Sequence, residues 1–525
     1  MAEAAEQQPP ESPETAGSPG RIVGLWLGLV AFLALIAVPV DPGNAPASRL
    51  AAVAALMAVW WVSDAIPLFA TALLPLALYP LLGIMSGSSV APTYFNSTIV
   101  LFLGGFLIAL TMQRWDLHRR IALTIIHAVG GGPARIVLGF MLAAAFLSMW
   151  ISNTATAVMM VPIGLAIVLQ IEDEFGKESS HSFSVGLMLG IAYACSVGGL
   201  TTLVGTPPNL ALIQIFGILF PEAPPISFGQ WLLTALPVGT IMLVVAWLLI
   251  TRVFYRTPPE LRVEGEVVEA ERRALGPVRF EERVTLVVFV TTAVLWVFRA
   301  DLDLGVATIP GWSRLLPYPG LIDDGTVAIT MASLMFFIPT RTPGVRASRV
   351  MGVDVIPRLP WDIVLLFGGG FALAAGFQET GLALFIGEQF ERVGDLTPFV
   401  AILLVCLAMT FLTELTSNLA TAQTLLPILA SIAVATETHP LLLMIPATLS
   451  ASCAFMMPVA TPPNAIVFGS GRIRVGEMAR IGIVLNLVGA LVVAVVVFAV
   501  GTTVFDIDAG SLPAWAESIA TGTGP

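Results

Sequence analysis

Eleven long apolar runs, separated by short segments that hold nearly all of the charge, constrain this chain more than any other feature. They lie near residues 22–40, 50–64, 66–84, 98–113, 183–219, 227–250, 284–299, 321–338, 361–377, 441–469 and 479–505. As helices, runs of this kind cover a hydrocarbon core of about 30 Å. Charged residues make up only 11% of the 525 positions and hydrophobic ones 57%, with a mean hydropathy of +0.90. A soluble protein of this size carries charge on roughly a quarter of its residues, so lipid is the main solvent. The chain reads as an all-α polytopic membrane protein in a lipid bilayer.

Two further apolar stretches, 135–170 and 398–436, each carry a polar break at mid-length. Two short half-helices meeting at a polar tip fit each better than a pair of crossings, so both read as re-entrant hairpins. The basic residues agree with eleven crossings: of 24 Lys and Arg, all but Arg49, Arg299, Arg314 and Arg392 fall on one side. That positive-inside bias puts the N-terminus in the cytoplasm and the C-terminus outside. Residues 1–20 are rich in Glu, Pro, Ser and Gly and lack the basic start of a signal peptide, so they read as a disordered cytoplasmic arm. Segment 251–283 reads as a cytoplasmic amphipathic segment on an anionic leaflet rather than a nucleic-acid site, and 506–525 as an extracytoplasmic tail. Heavy use of Arg, with Lys177 the single lysine, points to a GC-rich bacterial genome and hence the cell's inner (plasma) membrane.

The chain contains an internal repeat. SNTATAVMMVPI starts at Ser152 and SNLATAQTLLPI at Ser417, 265 positions later, and GGF ends at Phe106 and, at the same offset, at Phe371. TPPN occurs at Thr206–Asn209 and again at Thr461–Asn464. An odd number of crossings separates the two Ser-Asn tips, so the second copy is upside down relative to the first. The repeats are assigned to 21–250 and 284–505. Inverted repeats with broken helices at the midplane are the architecture of many secondary transporters.

The tips offer hydroxyls, amide oxygens and free N–H groups. Oxygen ligands suit hard cations such as sodium, and the N–H groups of a helix N-terminus suit an anion. At each TPPN, two prolines remove two donors and push the preceding Thr into extended geometry, breaking the helix and freeing carbonyls at Gly205 and Ala460. Neither motif contains Lys or Arg, so a dianion there depends on hydroxyls, amides, helix ends and bound cations.

At these residues the chain resembles the divalent anion/sodium symporter (DASS) family of sodium-coupled di- and tricarboxylate carriers. The resemblance runs over about 22–505 and rests on WWVSDAIPLFATALLP at 60–75, both Ser-Asn tips and both TPPN breaks. It implies a homodimer, each subunit having a scaffold domain and an elevator-type transport domain. It implies one sodium site at Ser148, Ser152, Asn153 and Gly205 and a second at Thr413, Ser417, Asn418 and Ala460. Substrate contacts are implied at Ser152, Asn153, Thr154, Thr206, Ser417, Asn418, Thr461 and Pro462. Many carboxylate-transporting members read SNT at the second tip, whereas this chain has Leu419 in the third place, without a hydroxyl. The function implied is sodium-coupled symport of C4-dicarboxylates such as succinate, malate or fumarate, with exchange, citrate or sulfate as alternatives on the same scaffold.

Other classes fit less well. His118, His127, His181 and His439 form no metal-binding pair, and Cys195, Cys406 and Cys453 sit in apolar stretches without ligand spacing, so neither an enzyme centre nor an organic cofactor is indicated. An intramembrane enzyme or a channel is the alternative of another class. Asp64 reads as a helix cap or a residue at the water boundary, and Glu414 either as an influence on the second cation site or as a group that reaches water.

Overall fold

The structure, a computed structural model, describes residues 19–256, 266–303, 307–342, 348–390 and 397–516. The arm before Pro19, Arg262, Arg346, Arg392 and the tail beyond Ala516 lie outside the described residues.

Helix dominates throughout. The eleven apolar runs fall on the helical segments Pro19–Ala37, Ala45–Ser63, Leu68–Leu82, Ser97–Arg114, Lys177–Leu219, Phe228–Phe254, Phe280–Val297, Asp324–Phe337, Trp361–Thr380, Leu441–Gly469 and Val475–Val504, and among the described residues nine helices are each long and apolar enough to cross a membrane, Asn153–Phe175 and Asn418–Ala435 of the hairpins among them. Two of the eleven segments, Lys177–Leu219 and Leu441–Gly469, are interrupted, and Leu68–Leu82 is jointed at Leu73. Among the described residues the only strand pairing beyond an isolated bridge is a two-residue ribbon, Leu302–Asp303 with Thr308–Ile309.

The first hairpin is Pro133–Ser148 followed by Asn153–Phe175, and the second is Pro398–Thr413 followed by Asn418–Ala435. Each begins with Pro at the first helical position, where its fixed φ is favourable and its missing N–H costs nothing. Both first arms have 16 residues. The second arms have 23 and 18, so the sequence expectation of two short half-helices holds only for the first arm of each. Each second arm absorbs a proline, Pro162 or Pro427, without ending.

At the tips the backbone turns through Ser152 (φ −55°, ψ 143°) and Ser417 (φ −64°, ψ 128°), which cap the second arms. Ser152 Oγ accepts from the Ala155 N–H at 3.2 Å and Ser417 Oγ from the Ala420 N–H at 3.5 Å. Such a cap contributes about 1 kcal/mol. The breaks behave as two consecutive prolines require. Thr206 (φ −144°, ψ 141°) and Thr461 (φ −142°, ψ 149°) are extended, and helices Pro207–Leu219 and Pro462–Gly469 start directly after them.

The segment expected over 251–283 has different bounds. Residues 249–254 prolong the preceding crossing as a π-helical turn, and the next crossing already starts at Phe280 because Glu281 and Glu282 are buried and satisfied. Glu281 accepts from the N–H groups of Arg341 and Thr342 and from the Thr342 hydroxyl, while Arg120 donates to Glu282. Between them, helix Glu266–Ala274 docks on helix Leu117–Val129 through buried Val268 and an Arg119–Glu271 pair, so it turns its apolar face to protein.

The interrupted crossing Lys177–Leu219 lies directly on the first hairpin. A Cβ on Gly198 would overlap the Ala145 carbonyl, and one on Gly199 would overlap the Asn153 carboxamide. Gly198→Val should therefore pry the two elements apart and markedly lower the melting temperature of the detergent-purified protein. An unchanged melting curve would contradict this packing.

Candidate functional site

Both tips and both breaks open into one cavity of about 620 Å³. Ser152, Asn153, Thr154, Gly205, Thr206, Ser417, Asn418, Leu419, Ala460, Thr461 and Pro462 line it. Two of the expected site residues, Ser148 and Thr413, are fully buried behind this wall.

Those two residues support the tips in the same way. Ser148 donates its hydroxyl to Asn153 Oδ1, and Thr413 Oγ1 lies 2.6 Å from Asn418 Oδ1 and 3.0 Å from the Ala451 carbonyl. Each tip asparagine is thus held by a hydroxyl five positions earlier. Serine, asparagine and threonine oxygens accumulate at each tip, and Gly205 and Ala460 line the same cavity, a set of residues suited to a hard cation.

The breaks are closed by a residue that the TPPN motif contains but whose part sequence reasoning missed. Asn209 Nδ2 donates to the carbonyls of Thr202 at 2.7 Å, Leu200 at 3.3 Å and Gly199 at 3.4 Å. Asn464 Nδ2 donates to Met457 at 3.0 Å and Ala454 at 3.2 Å. Both side chains are fully buried, and in both the carboxamide oxygen has no protein partner. These bonds consume carbonyls freed by the breaks but none goes to Gly205 or Ala460. Recurrence of Asn three residues after the pre-proline Thr in both copies was the available signal.

Four helix N-termini point at the cavity, those beginning at Asn153, Pro207, Asn418 and Pro462. They are not equivalent. Prolines fill the first two positions after Thr206 and Thr461 and remove the donors there, whereas Asn153, Thr154, Asn418 and Leu419 keep amides that their helices do not use. The hairpin tips are therefore the stronger anion-facing ends. Among the described residues no Lys or Arg lines the cavity, but Asp64 and Asp362 do. Asp64 occupies the left-handed position that ends helix Ala45–Ser63 and pairs with Arg21. Trp61, Phe69, Phe102 and Phe106 supply the apolar part of the wall.

A predominantly helical membrane protein with two hairpins and two broken helices around one cavity has the architecture of a secondary transporter. The chain belongs to the sodium:sulfate symporter family, whose transmembrane region matches residues 20–507. It is 40% identical over 495 residues to the sodium-dependent dicarboxylate transporter SdcS of Staphylococcus saprophyticus, covering 93% of each chain. Against SdcS of Staphylococcus aureus it is 40% identical over 502 residues, 94% of this chain and 93% of that one. Among solved structures it is similar in fold to the YdaH transporter of Alcanivorax borkumensis, with a TM-score of 0.54 at 13% identity over 92% of this chain and 99% of that one. MtrF of Neisseria gonorrhoeae gives a TM-score of 0.53 at 12% identity over 90% and 98%.

Replacing Asn209 or Asn464 by Ala strands buried carbonyls, at about 1–3 kcal/mol each. Either substitution should lower the melting temperature in detergent, and the double variant should be worse than each single one. Melting curves that match the parent would show that the breaks are satisfied otherwise.

Proposed function

We propose that this protein is a sodium-coupled symporter of C4-dicarboxylates. One observation carries the proposal: the cavity presents helix N-termini, hydroxyls and carboxamides from two equivalent tips, yet among the described residues that line it there is no cationic side chain and there are two carboxylates. A dianion entering alone meets no charge to balance its own, so its binding requires cations that arrive with it. The dicarboxylate transporters that share 40% of its sequence over nearly their full length support the same reading.

In this reading one sodium binds at Ser148, Ser152, Asn153 and Gly205 and another at Thr413, Ser417, Asn418 and Ala460. The substrate lies between the tips. One carboxylate meets Ser152, Asn153 and Thr154, the other Ser417 and Asn418, with Thr206, Thr461 and Pro462 along the sides. Leu419 lines the wall without a hydroxyl, which weakens the second side.

Alternating access follows from a difference between the two copies. Gln423, on the second hairpin, is buried against helix Trp361–Thr380, its Nε2 donating to the Phe367 carbonyl at 3.3 Å and its side chain filling the space where Gly370 has no Cβ. The equivalent residues 265 positions earlier are Val158 and Gly105, and Val158 is 56% exposed. Gln423 is thus seated in helix Trp361–Thr380, whereas Val158 has no such seat. An elevator-type movement that exchanges the two, carrying hairpins and broken helices past a scaffold of the remaining crossings, seats Val158 over Gly105 in the opposite state. The N-terminus is cytoplasmic and the C-terminus outside, in the cell membrane. The sparsely buried first helix, Pro19–Ala37, leaves a broad apolar face for lipid and for the scaffold contact of a homodimer.

Uptake of labelled succinate, citrate and sulfate into liposomes holding the purified protein, with and without a sodium gradient, tests the proposal. Sodium-driven succinate uptake is expected, and Asn153→Ala or Asn418→Ala should abolish it in folded protein. Leu419→Thr should tighten succinate binding by up to about 1 kcal/mol if the new hydroxyl forms a net hydrogen bond. Sulfate competing better than succinate against labelled succinate would overturn the dicarboxylate assignment, and uptake indifferent to sodium would overturn the coupling.

A further inference from the structure

Glu414 follows Thr413 in the second hairpin, at the place where the first hairpin has Met149. Its side chain is only 3% exposed, so it does not reach water. The carboxylate is surrounded instead by donors from two other elements. Oε1 accepts from the backbone N–H of Phe455 at 2.7 Å and of Met456 at 2.8 Å, and Oε2 from that of Met457 at 3.0 Å. Asn486 Nδ2, from the closing helix Val475–Val496, donates to Oε1 at 2.7 Å, and its Oδ1 accepts from the Phe455 N–H at 3.3 Å. Three consecutive amides around an anion form a nest, and hydrogen bonds to a charged acceptor are roughly twice as strong as neutral ones.

The location of these amides gives the contact its consequence. They lie in the interrupted stretch between Leu441–Ala451 and Pro462–Gly469, which goes on to present Ala460 and Thr461 to the cavity. Glu414 is also covalently next to Thr413, which holds Asn418. One carboxylate therefore links the hairpin that brings Thr413, Ser417 and Asn418 to the break that brings Ala460. The first half-site is joined differently. Met149 has no charge to offer, and the corresponding link is a hydroxyl bond from Thr202 to the Met149 carbonyl.

We propose that Glu414 is the positioning residue of the second cation site. It sets the distance between the second tip and the Ala460 carbonyl, and so sets the sodium affinity of that site and not of the first. The proposal rests on the sodium-coupled reading given above. A glutamine of the same size turns one acceptor oxygen into an amino group that faces an N–H donor, so the break can no longer be held on both oxygens.

The test is the sodium dependence of initial succinate uptake in liposomes for the parent, Glu414→Gln and Asn486→Leu. For Glu414→Gln the half-saturating sodium concentration should rise about tenfold or more, as loss of hydrogen bonds to a charged group implies. The sodium curve should also flatten toward that of a single site, while the KM for succinate at saturating sodium moves much less. Asn486→Leu removes one of the four donors and should shift the sodium curve in the same direction by a smaller factor. It carries the test alone if Glu414→Gln is not monodisperse. A folded variant that loses maximal rate with an unchanged sodium curve overturns the positioning role, and so does one that behaves like the parent. Sodium-independent uptake by the parent itself would instead defeat the coupling reading, and the proposal with it.

Discussion

A helix interrupted inside a membrane leaves carbonyls that no bulk water can reach, and the amides of Asn209 and Asn464 are what make the two interruptions tolerable here. Everything at the site follows from that. With Thr202, Leu200, Met457 and Ala454 satisfied, the chain can run extended through Thr206 and Thr461 and present Gly205 and Ala460 toward the tips. Each break then contributes an oxygen-bearing wall rather than a defect. The carboxamide oxygens of the same two asparagines have no hydrogen-bond partner.

The two copies are alike where ions are proposed to bind and unlike where the protein would move or be braced. Ser148 and Thr413 hold their asparagines in the same manner, and Ser152 and Ser417 cap their helices in the same manner. By contrast, Gln423 is buried and Val158 exposed, and Glu414 spans to a break while Met149 cannot. A symmetric site in an asymmetric frame is what alternating access needs: the same ligands serve both states, and the frame determines which side is open.

Much of this was legible in the sequence because the decisive chemistry is local. A serine before a helix caps it and two prolines fix the residue before them, and both effects act within three or four residues. The tips, the breaks and the helical character of the apolar runs could accordingly be read from the chain. Other features could not. The partners of Glu414 lie 41 to 72 positions away and are mostly backbone amides, which leave no trace in side-chain identity. The start of the crossing at Phe280 depends on Glu281 finding amides at Arg341 and Thr342, about 60 residues on, so the charged run looked like loop. The lengths of the hairpin arms were hidden for another reason: apolar composition is the same whether a helix stops at the midplane or continues past it.

The central claim is that a single cavity is built by two hairpins entering from opposite sides. Gly176 and Thr397 are exposed at the bases of the first and second hairpins, and the native Cys195, Cys406 and Cys453 are all buried and can be replaced beforehand. Cysteines placed singly at the two bases should react with a membrane-impermeant maleimide from opposite faces, Gly176→Cys only from the cytoplasmic side and Thr397→Cys only from outside. Labelling of both from the same face would contradict the inversion on which the account rests.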